Sequence, residues 1–438
     1  MLSAAEVERI MQSYRIAGID VHKKMLAVVV ADVCGGGEFQ FERRKFGTTP
    51  GELHVLAQWL VQQQVEEVVM ESTAQYWRPV WEALEQFWQP AMRSREETAK
   101  MSGTLHLCQA QSNRAPRGRK KDFPDAERLV KRLVAEELTL SFVPEPDLRL
   151  LRTVTRRRYQ LSRARVMFQN QLESLLEQAH IKLSSLVSDL LGSSARRMLK
   201  ALSEGVNDPA VVAAMADRRL RATAEQLRDA LGSCTDMNPH YRRLIKMALA
   251  ELQLVETHIQ ELDQEAMELL HEHQEVVRRI AAVPGFGVDS AMQMIAEVGV
   301  AAANFATAKN LVSWVGVCPG DQESAGKSQS TRSPKGNRHM RRLLTQAAHA
   351  AVKVKGSIFE LTFNRHMRQM KYKPAIWAIA HRLCRLLWLL LSKRVDYEER
   401  GPEVSAKSKR VRTSRMIREL KKLGYRIEGG PAELTLQY

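Results

Sequence analysis

A run of apolar residues spaced alternately by four and three most constrains the fold of this chain. It has nine positions, all apolar: Tyr241, Ile245, Ala248, Leu252, Val255, Ile259, Leu262, Ala266 and Leu269. In a chain with 44% hydrophobic residues, such a run arises by chance on the order of once in a thousand per frame. The run therefore predicts a long helix with one apolar seam, as in a coiled coil.

A second heptad run covers residues 151–179, where Arg158 and Arg165 occupy two seam positions. Two such helices can pair within one chain or between two chains, and the pattern leaves both open. The stretch between them, 182–236, contains several glycines and a proline and predicts short helices joined by loops. We predict that residues 144–275 form a helical coiled-coil connector.

The N-terminal part has a different pattern. Residues 15–47 read as three strands, and a later apolar strand ends at Glu71. Helical patterns follow residue 48 and Asp122, and 104–111 is a weaker strand candidate. Strands that first form hairpins and then alternate with helices indicate an α/β sheet domain at residues 1–143.

Residues 276–395 predict a mostly α-helical domain broken by glycine turns, and residues 396–438 predict a basic tail. The apolar stretch 375–391 is interrupted by a histidine and two arginines, so we expect a buried core helix and not a membrane span. The first apolar stretch alternates like a strand, so we expect no secretory signal.

The net charge of +16 favours a polyanionic partner such as nucleic acid or an acidic membrane surface. The five cysteines include no CxxC pair. They are typical of reduced thiols in a cytosolic protein, and they argue against a disulfide framework or a zinc site.

Four acidic residues occupy positions that suit the metal site of a metal-dependent nuclease. Asp20 and Glu71 follow apolar strands, and Asp122 and Asp125 lie three apart at a helix start. Four carboxylates that meet at one place repel one another unless a cation lies between them. Either aspartate alone also fits a helix cap, and strand-end acids are often solvated. The ordered set of four favours a metal site.

Two downstream motifs each have a functional interpretation and a purely structural one. Residues 283–299 resemble a helix-hairpin-helix, in which Gly285 and Gly287 let backbone N–H groups approach phosphate, but a plain turn between helices uses the same residues. Ser324 opens a basic stretch with three further serines. A serine can store a broken phosphodiester as a covalent ester, yet a solvated basic loop is equally consistent, and composition does not select Ser324.

Clusters of basic residues predict a phosphate-contacting surface, because acids are absent between residues 152 and 165. A solvated charged face is the alternative. The candidate nucleic-acid-binding residues are Arg117, Arg119, Lys120, Arg156, Arg157, Arg163, Gly285, Gly287, Lys327, Lys335, Arg338 and Arg341.

Taken in order, the motifs GIDVHK, VVMEST, GRKKDFPDAERL, VPGFG and CPGDQESAGKS with KGN and MRR resemble the DEDD-type insertion-sequence transposases. These are also called bridge-RNA-guided recombinases, the IS-one-ten family, and the closest pattern is that of its IS-eleven-eleven-like group. The resemblance extends from about residue 15 to about residue 395. Many relatives have Ser-Gly where this chain has Ser324, Ala325 and Gly326.

The resemblance implies an RNase H/RuvC-like N-terminal domain, a coiled-coil connector and a C-terminal transposase domain. It implies that Asp20, Glu71, Asp122 and Asp125 are the catalytic acids and hold Mg²⁺, and that Ser324 is the nucleophile. It also implies a DNA transposase that excises and inserts an insertion sequence through a phosphoserine intermediate. The alternatives are a Holliday-junction-resolvase-like nuclease that uses water, and a non-catalytic binding protein.

The same resemblance implies the partners. They are DNA at the element ends and target, a bridge RNA that pairs with both, and further copies of the chain in a dimer or tetramer. The acids of one subunit are implied to work with the serine of another. We therefore expect a bacterial cytoplasmic, nucleoid-associated protein with no membrane partner.

Overall fold

The computed structural model describes most of the chain as two compact units, residues 1–143 and 144–438. The described residues are 14–33, 39–71, 74–90, 103–110, 112–113, 122–320, 322–324, 327–330, 332–399, 414 and 417–418. The predicted tail therefore lies almost wholly outside the described residues. The proposed division of 144–438 into a connector, a transposase domain and a tail stays a prediction.

The first unit is a six-stranded sheet with helices on both faces. Its strands are β1 Tyr14–Val21, β2 Met25–Val33, β3 Gln40–Gly47, β4 Glu67–Glu71, β5 Thr104–Cys108 and β6 Leu140–Ser141. Its helices are α1 Pro50–Gln62, α2 Trp77–Phe87 and α3 Asp122–Val134. The strand order is β3-β2-β1-β4-β5-β6. β1, β2 and β3 are antiparallel neighbours, whereas β4 and β5 run parallel to β1.

Strand alternation assigns the side chains of the sheet to two cores. Ile19 and Leu26 pack with Leu56 and Leu60 of α1 on one face. Residues of alternate parity, such as Ile16 and Val29, pack on the other face with α3. Because both faces are covered, β2 is a continuous apolar run that is buried from Leu26 to Ala31. The predicted N-terminal α/β domain is confirmed.

The second unit is mostly helical, as predicted. Its helices are α4 Pro146–Gln178, α5 Ser193–Glu204, α6 Pro209–Ala213, α7 Ala224–Ala230, α8 Pro239–Leu269, α9 Gln274–Ala281, α10 Val288–Val298, α11 Ala308–Val315, α12 Arg338–Ala351, α13 Ile358–Met367 and α14 Tyr372–Lys393. The short antiparallel strands β7 Gln322–Ser324 and β8 Lys327–Ser330 interrupt them.

The two helices with heptad patterns, α4 and α8, pair with each other antiparallel within the chain. The two seam arginines of α4 meet acids of α8: Arg158 Nε lies 2.7 Å from Asp263 and Arg165 Nε lies 2.8 Å from Glu256. These ion pairs explain how arginines fit into an otherwise apolar seam. The short helices α5, α6 and α7 lie between the long ones in sequence and share one core with them.

A second core of this unit gathers the start of α4 with α9 to α14. One described helix, α14, has the length and apolar composition to cross a bilayer, and half of its most apolar window is buried. Ile379, Leu383 and Leu387 of that helix are fully buried in this core. The helix thus packs as a core helix, as its sequence predicts.

Candidate active site

Parallel pairing of β1 and β4 brings the first two predicted acids to the same end of the sheet. Ile19 of β1 is paired in register with Met70 of β4. Asp20 and Glu71 are the residues that follow this pair on the two strands. The sheet register therefore makes these acids neighbours, as the strand-end pattern predicted.

A glycine allows α3 to lie directly on β1. A Cβ at Gly18 would lie 2.4 Å from the backbone oxygen of Ala126 and 2.9 Å from Val130. Arg43 of β3 adds an ion pair of 2.7 Å to Glu127 of α3. The close approach fixes where α3 begins, and the first turn of α3 carries Asp122 and Asp125.

Three side chains converge at the end of β1. His22 Nε2 lies 3.1 Å from Asp20 Oδ2 and 3.5 Å from Asp122 Oδ1. One ligand atom from each of the three lies within 4.8 Å of the others. Lys45 Nζ lies 3.6 Å from the second oxygen of Asp122. The structure therefore brings Asp20 and Asp122 together, with a histidine between their carboxylates.

The electrostatic surroundings of Asp20 oppose its negative charge. Burial raises the pKa of Asp20, and the carboxylates of Asp125 and Glu71 raise it further, whereas His22 lowers it. The net result is a raised pKa. Like charges that act on a partly buried carboxylate create a place where a bound cation is favourable.

The other two predicted acids are held by a second set of contacts. Asn113 is buried and donates its Nδ2 to Glu71 Oε2 at 3.0 Å. Arg128 is hydrogen-bonded to Asp125 and donates its Nε to Asn113 Oδ1 at 3.3 Å. Glu71 and Asp125 are thus linked through an amide and a guanidinium, which orients both carboxylates toward the same region as Asp20.

Sequence reasoning missed three residues of this cluster: His22, Asn113 and Arg128. His22 follows Asp20 by two positions, and the strand period of two places such residues on one face, so this signal was present. Arg128 follows Asp125 by three positions on the same helix, so the i,i+3 spacing of this pair was also visible in the sequence. Asn113 gave no comparable signal, because its partner Glu71 lies 42 residues away along the chain.

The donor set fits a divalent cation. Carboxylate oxygens are the ligands that Mg²⁺ prefers, usually with water completing its shell. The imidazole of His22 adds a nitrogen donor, which first-row transition metals accept more readily. The residues at the end of β1 therefore suit Mg²⁺ or Mn²⁺ better than a soft metal.

The backbone around Ser324 is a strand, whereas the sequence predicted a loop. Ser324 ends β7 and pairs with Lys327, which begins β8. The strands are so short that their alternation could not be distinguished from a loop in the sequence.

Glycines allow close backbone approaches on both sides of this hairpin. A Cβ at Gly320 would lie 2.1 Å from the backbone oxygen of Arg332, and one at Gly336 would lie 2.2 Å from that of Val315. Asn337 then caps α12, because its Oδ1 accepts from the backbone N–H groups of His339 and Met340. The two flanks of the hairpin therefore lie against each other, and the second flank is anchored to α11 and α12.

The predicted phosphate-binding residues have different surroundings. Arg156 is engaged by the buried Glu297, whereas Arg157 and Arg163 are exposed on α4. Lys335 and Arg338 are also exposed. Arg341 contacts the backbone oxygen of Pro334 and lies 4.9 Å from the centroid of the Trp377 ring. Arg117, Arg119 and Lys120 lie outside the described residues, and Lys327 is placed by its backbone in β8.

The two glycines of the VPGFG turn have structural roles. Gly285 adopts a φ of +90°, and a Cβ there would lie 2.3 Å from the backbone oxygen of Ala347. The backbone N–H of Gly287 donates to Ser290 Oγ at 2.8 Å. These contacts account for both glycines by packing and helix capping, and phosphate binding by this turn stays a prediction.

The chain is similar to several proteins. Over 158 residues it is 27% identical to a probable family 20 transposase of Pseudomonas aeruginosa, a match that covers 35% of this chain and 46% of that protein. A Thermus thermophilus RuvC structure aligns over 29% of this chain and all of its own, with 14% identity and a TM-score of 0.21. An Aquifex aeolicus member of the Ppx/GppA family aligns over 56% of this chain and 98% of its own, with 9% identity and a TM-score of 0.15.

Because both TM-scores are low, the assignment depends on sequence families. Residues 17–181 match the DEDD-type IS110 transposase family. Residues 277–379 match the family described as Transposase IS116/IS110/IS902. The two matches agree, and together they span more than half of the chain. The chain therefore belongs to the IS116/IS110/IS902 family of transposases.

Proposed function

We propose that this chain is a DNA transposase that excises and inserts an insertion sequence by metal-dependent strand cleavage and a phosphoserine intermediate. The observation that carries the proposal is the convergence of Asp20, His22 and Asp122, whose ligand atoms lie within 4.8 Å of one another. Glu71 and Asp125 act on Asp20 electrostatically from the same region. A surface that only binds DNA has no need for carboxylates that repel the phosphate backbone.

Asp20 and Asp122 would hold Mg²⁺, with Glu71 and Asp125 as further oxygen ligands. The bound ion would supply positive charge to a phosphate oxygen as charge develops in the transition state. Asn113 and Arg128 orient the outer carboxylates. Lys45 lies beside Asp122 and adds a positive charge at the rim, where a DNA phosphate would approach.

Ser324 is the proposed nucleophile, on the family resemblance and on its position at the end of β7. Its Oγ would form a bond to phosphorus while the bond from phosphorus to the leaving-strand oxygen breaks. The hydroxyl proton of Ser324 passes to a base, and the leaving-strand oxygen takes up a proton and becomes a free hydroxyl. Attack of a new strand hydroxyl on the phosphoserine reverses the step, so rejoining needs no ATP.

The proposed partners follow from the family resemblance. They are donor and target DNA, a bridge RNA that pairs with both, and further copies of this chain. The net charge of +16 supports a nucleic-acid partner, since lysines and arginines displace counterions from phosphates. The proposed site of action is the bacterial cytoplasm, at the nucleoid.

A suicide DNA substrate analysed on a denaturing gel tests the chemistry. We expect a covalent protein–DNA adduct with wild-type protein and Mg²⁺, and none with Asp20→Asn, Glu71→Gln or Ser324→Ala. Ser328→Ala, in the same hairpin, is the matched control and should form the adduct. Free fragments from Ser324→Ala would establish the water-using nuclease, and normal activity of Asp20→Asn would refute the metal site.

Mixed oligomers test whether the acids and the serine act from different subunits. Asp20→Asn and Ser324→Ala are each expected to be inactive alone. If one subunit supplies the acids and another the serine, mixing the two variants restores part of the adduct. No recovery after co-refolding would place both groups in one subunit.

RNA guidance has its own test. The protein should copurify with an RNA transcribed from its own element, and RNase treatment should abolish site-specific recombination. If recombination at the specific site is unchanged after complete digestion of the RNA, guidance is wrong for this protein.

A further inference from the structure

We infer that a cavity in the second unit, formed by α4, α10 and α12, binds one nucleotide of a single-stranded segment, with its phosphate on Arg342. The cavity has a volume of about 800 Å³, within the range of ligand pockets. Its principal lining residues are Arg158, Tyr159, Arg163, Gln293, Arg342 and Gln346. The inference rests on the proposed function only for the class of ligand, because it concerns none of the acids or Ser324.

The charge of the lining favours an anion. Three arginines line the cavity together with one acid, Asp289. That acid is already paired with Arg158, whose Nη1 lies 3.0 Å from Asp289 Oδ2. Arg163 is exposed at the cavity, and no ion pair joins it to any residue that the structure describes. Among the described residues, neither Arg163 nor Arg342 forms an ion pair, so both guanidinium groups remain available to an anion.

Arg342 has the surroundings of an anion receptor. Its Nη2 donates to Gln293 Oε1 at 2.6 Å and its Nη1 to Gln346 Oε1 at 3.1 Å. Both acceptors are neutral amides, so they orient the guanidinium without neutralising it. Its Nε is buried and has no hydrogen-bond partner among the described residues. Burial also lowers the pKa of Arg342. A phosphate bound in the cavity would supply the negative charge that the two neutral amides lack.

The rest of the cavity suits a base. Arg342 Cζ lies 3.9 Å from the centroid of the Tyr159 ring, an arrangement that presents a planar stacked surface. Val166 and Met167 also line the cavity, with 53% and 56% of their surface exposed. Stacked arginine and aromatic groups beside apolar side chains bind unpaired bases with little sequence preference. A duplex would present its phosphates to the cavity, and its paired bases would not contact these apolar side chains.

Photo-crosslinking tests occupancy directly. Full-length protein is irradiated with single-stranded oligonucleotides that carry 5-iodouracil, one as DNA and one as RNA, and a duplex of the same sequence serves for comparison. We expect crosslinks at Tyr159 or Met167 from a single strand, several-fold above those from the duplex. The DNA and RNA arms identify which strand supplies the nucleotide. Crosslinks that map only outside the cavity would overturn the inference.

Binding measurements on matched variants test the contribution of the two arginines. Fluorescence anisotropy with the same labelled single strand should show about five- to tenfold weaker binding by Arg342→Gln and Arg163→Gln. The slope of log affinity against log salt should fall by about 0.7 for each lost phosphate contact. Arg243→Gln, an exposed arginine of α8 that does not line the cavity, is the charge-matched control. Equal affinities of Arg342→Gln and Arg243→Gln would contradict the inference.

Two outcomes separate this inference from the proposed function. Asp20→Asn should lose DNA cleavage but keep the crosslink at the cavity, since its change lies in the first unit. Thermal unfolding of Arg342→Gln should match wild type within a few degrees. If it does not, Tyr159→Leu, which removes the stacked ring but no charge, should weaken single-strand binding several-fold at an unchanged salt slope and lower the crosslink at Met167. A retained crosslink pattern and affinity in Tyr159→Leu would count against the cavity.

Discussion

Arg156 and Glu297 form a two-point ion pair, with Nε to Oε1 and Nη2 to Oε2 both at 2.8 Å. The carboxylate is almost fully buried and also accepts a hydrogen bond of 2.8 Å from Asn337 Nδ2. One acid thus joins α4, α10 and the residue that caps α12. This relationship connects the long helix to the anchored end of the serine hairpin.

Replacing Glu297 should therefore destabilise the second unit. Glu297→Gln leaves the Arg156 guanidinium partly buried without its counter-charge, and we expect a loss of about 3 kcal/mol in the free energy of unfolding. Urea denaturation measures it. Glu204→Gln, in the exposed pair with Lys200, is the control and should change stability by less than about 0.5 kcal/mol. Similar losses in the two variants would contradict the role of the buried pair.

The same pair gives an expected pH dependence. Burial raises the pKa of Glu297, but the hydrogen bonds and charge of Arg156 outweigh it and hold the pKa below its usual value of 4.5. The contribution of this pair is therefore present above pH 4.5 and lost as the pH falls through the folded-state pKa. We expect the stability difference between wild type and Glu297→Gln to shrink as the pH falls below 4.5. A difference that grows would show the opposite linkage.

Gly18 should be intolerant of even one methyl group. A Cβ there would lie 2.4 Å from a backbone oxygen of α3, so Gly18→Ala must displace the helix that carries Asp122 and Asp125. We expect a loss of about 1–3 kcal/mol and weaker binding of Mg²⁺ or Mn²⁺, measured by calorimetry. Gly51→Ala, in α1, has nothing within 4 Å of the new Cβ and should leave both unchanged or slightly improve stability.

His22 should tune the choice of metal. Its imidazole lies between the carboxylates of Asp20 and Asp122, and nitrogen donors favour Mn²⁺ over Mg²⁺. We expect His22→Ala to weaken Mn²⁺ binding about tenfold and Mg²⁺ binding less. Titration calorimetry with each ion measures the two affinities. His240→Ala, an exposed histidine of α8, should change neither. Equal losses for the two ions would show that His22 does not select the metal.

A substitution at Gly336 should slow adduct formation by displacing the segment that follows β8. Its Cβ would lie 2.2 Å from the backbone oxygen of Val315, so Gly336→Ala pushes the chain after β8 away from α11. Because displacements of about 1 Å can cost on the order of a hundredfold in rate, we expect adduct formation to fall at least tenfold. The suicide-substrate assay measures the rate. Gly232→Ala, with open space around its Cβ, should react at the wild-type rate.

Much of the fold was predictable because its apolar patterns follow from burial. The continuous apolar runs of β1 and β2 follow from burial on both faces of the sheet, and the heptads of α8 follow from burial of one side of the helix. Pairing of α4 with α8 was not predictable, because Arg158 and Arg165 weaken the seam until their partners Asp263 and Glu256 are known. Those partners lie 105 and 91 residues away.

The residues of the candidate site were likewise predictable only in part. Asp20 and Asp122 were predicted from their places at element ends, and the structure brings them together. Arg156 was predicted to contact phosphate from local charge alone, yet its guanidinium is engaged by Glu297, 141 residues away. Local sequence reveals which residues carry charge, but it does not reveal the distant residue that neutralises them.

The length of α4 has a consequence for how this chain can vary. Its 33 residues extend over about 50 Å, and its two halves enter different cores, Leu151 in one and Leu172 in the other. Deleting a single residue between them would rotate one core against the other by about 100°. We therefore expect insertions and deletions in α4 to survive only in steps of seven residues, matched by the same step in α8.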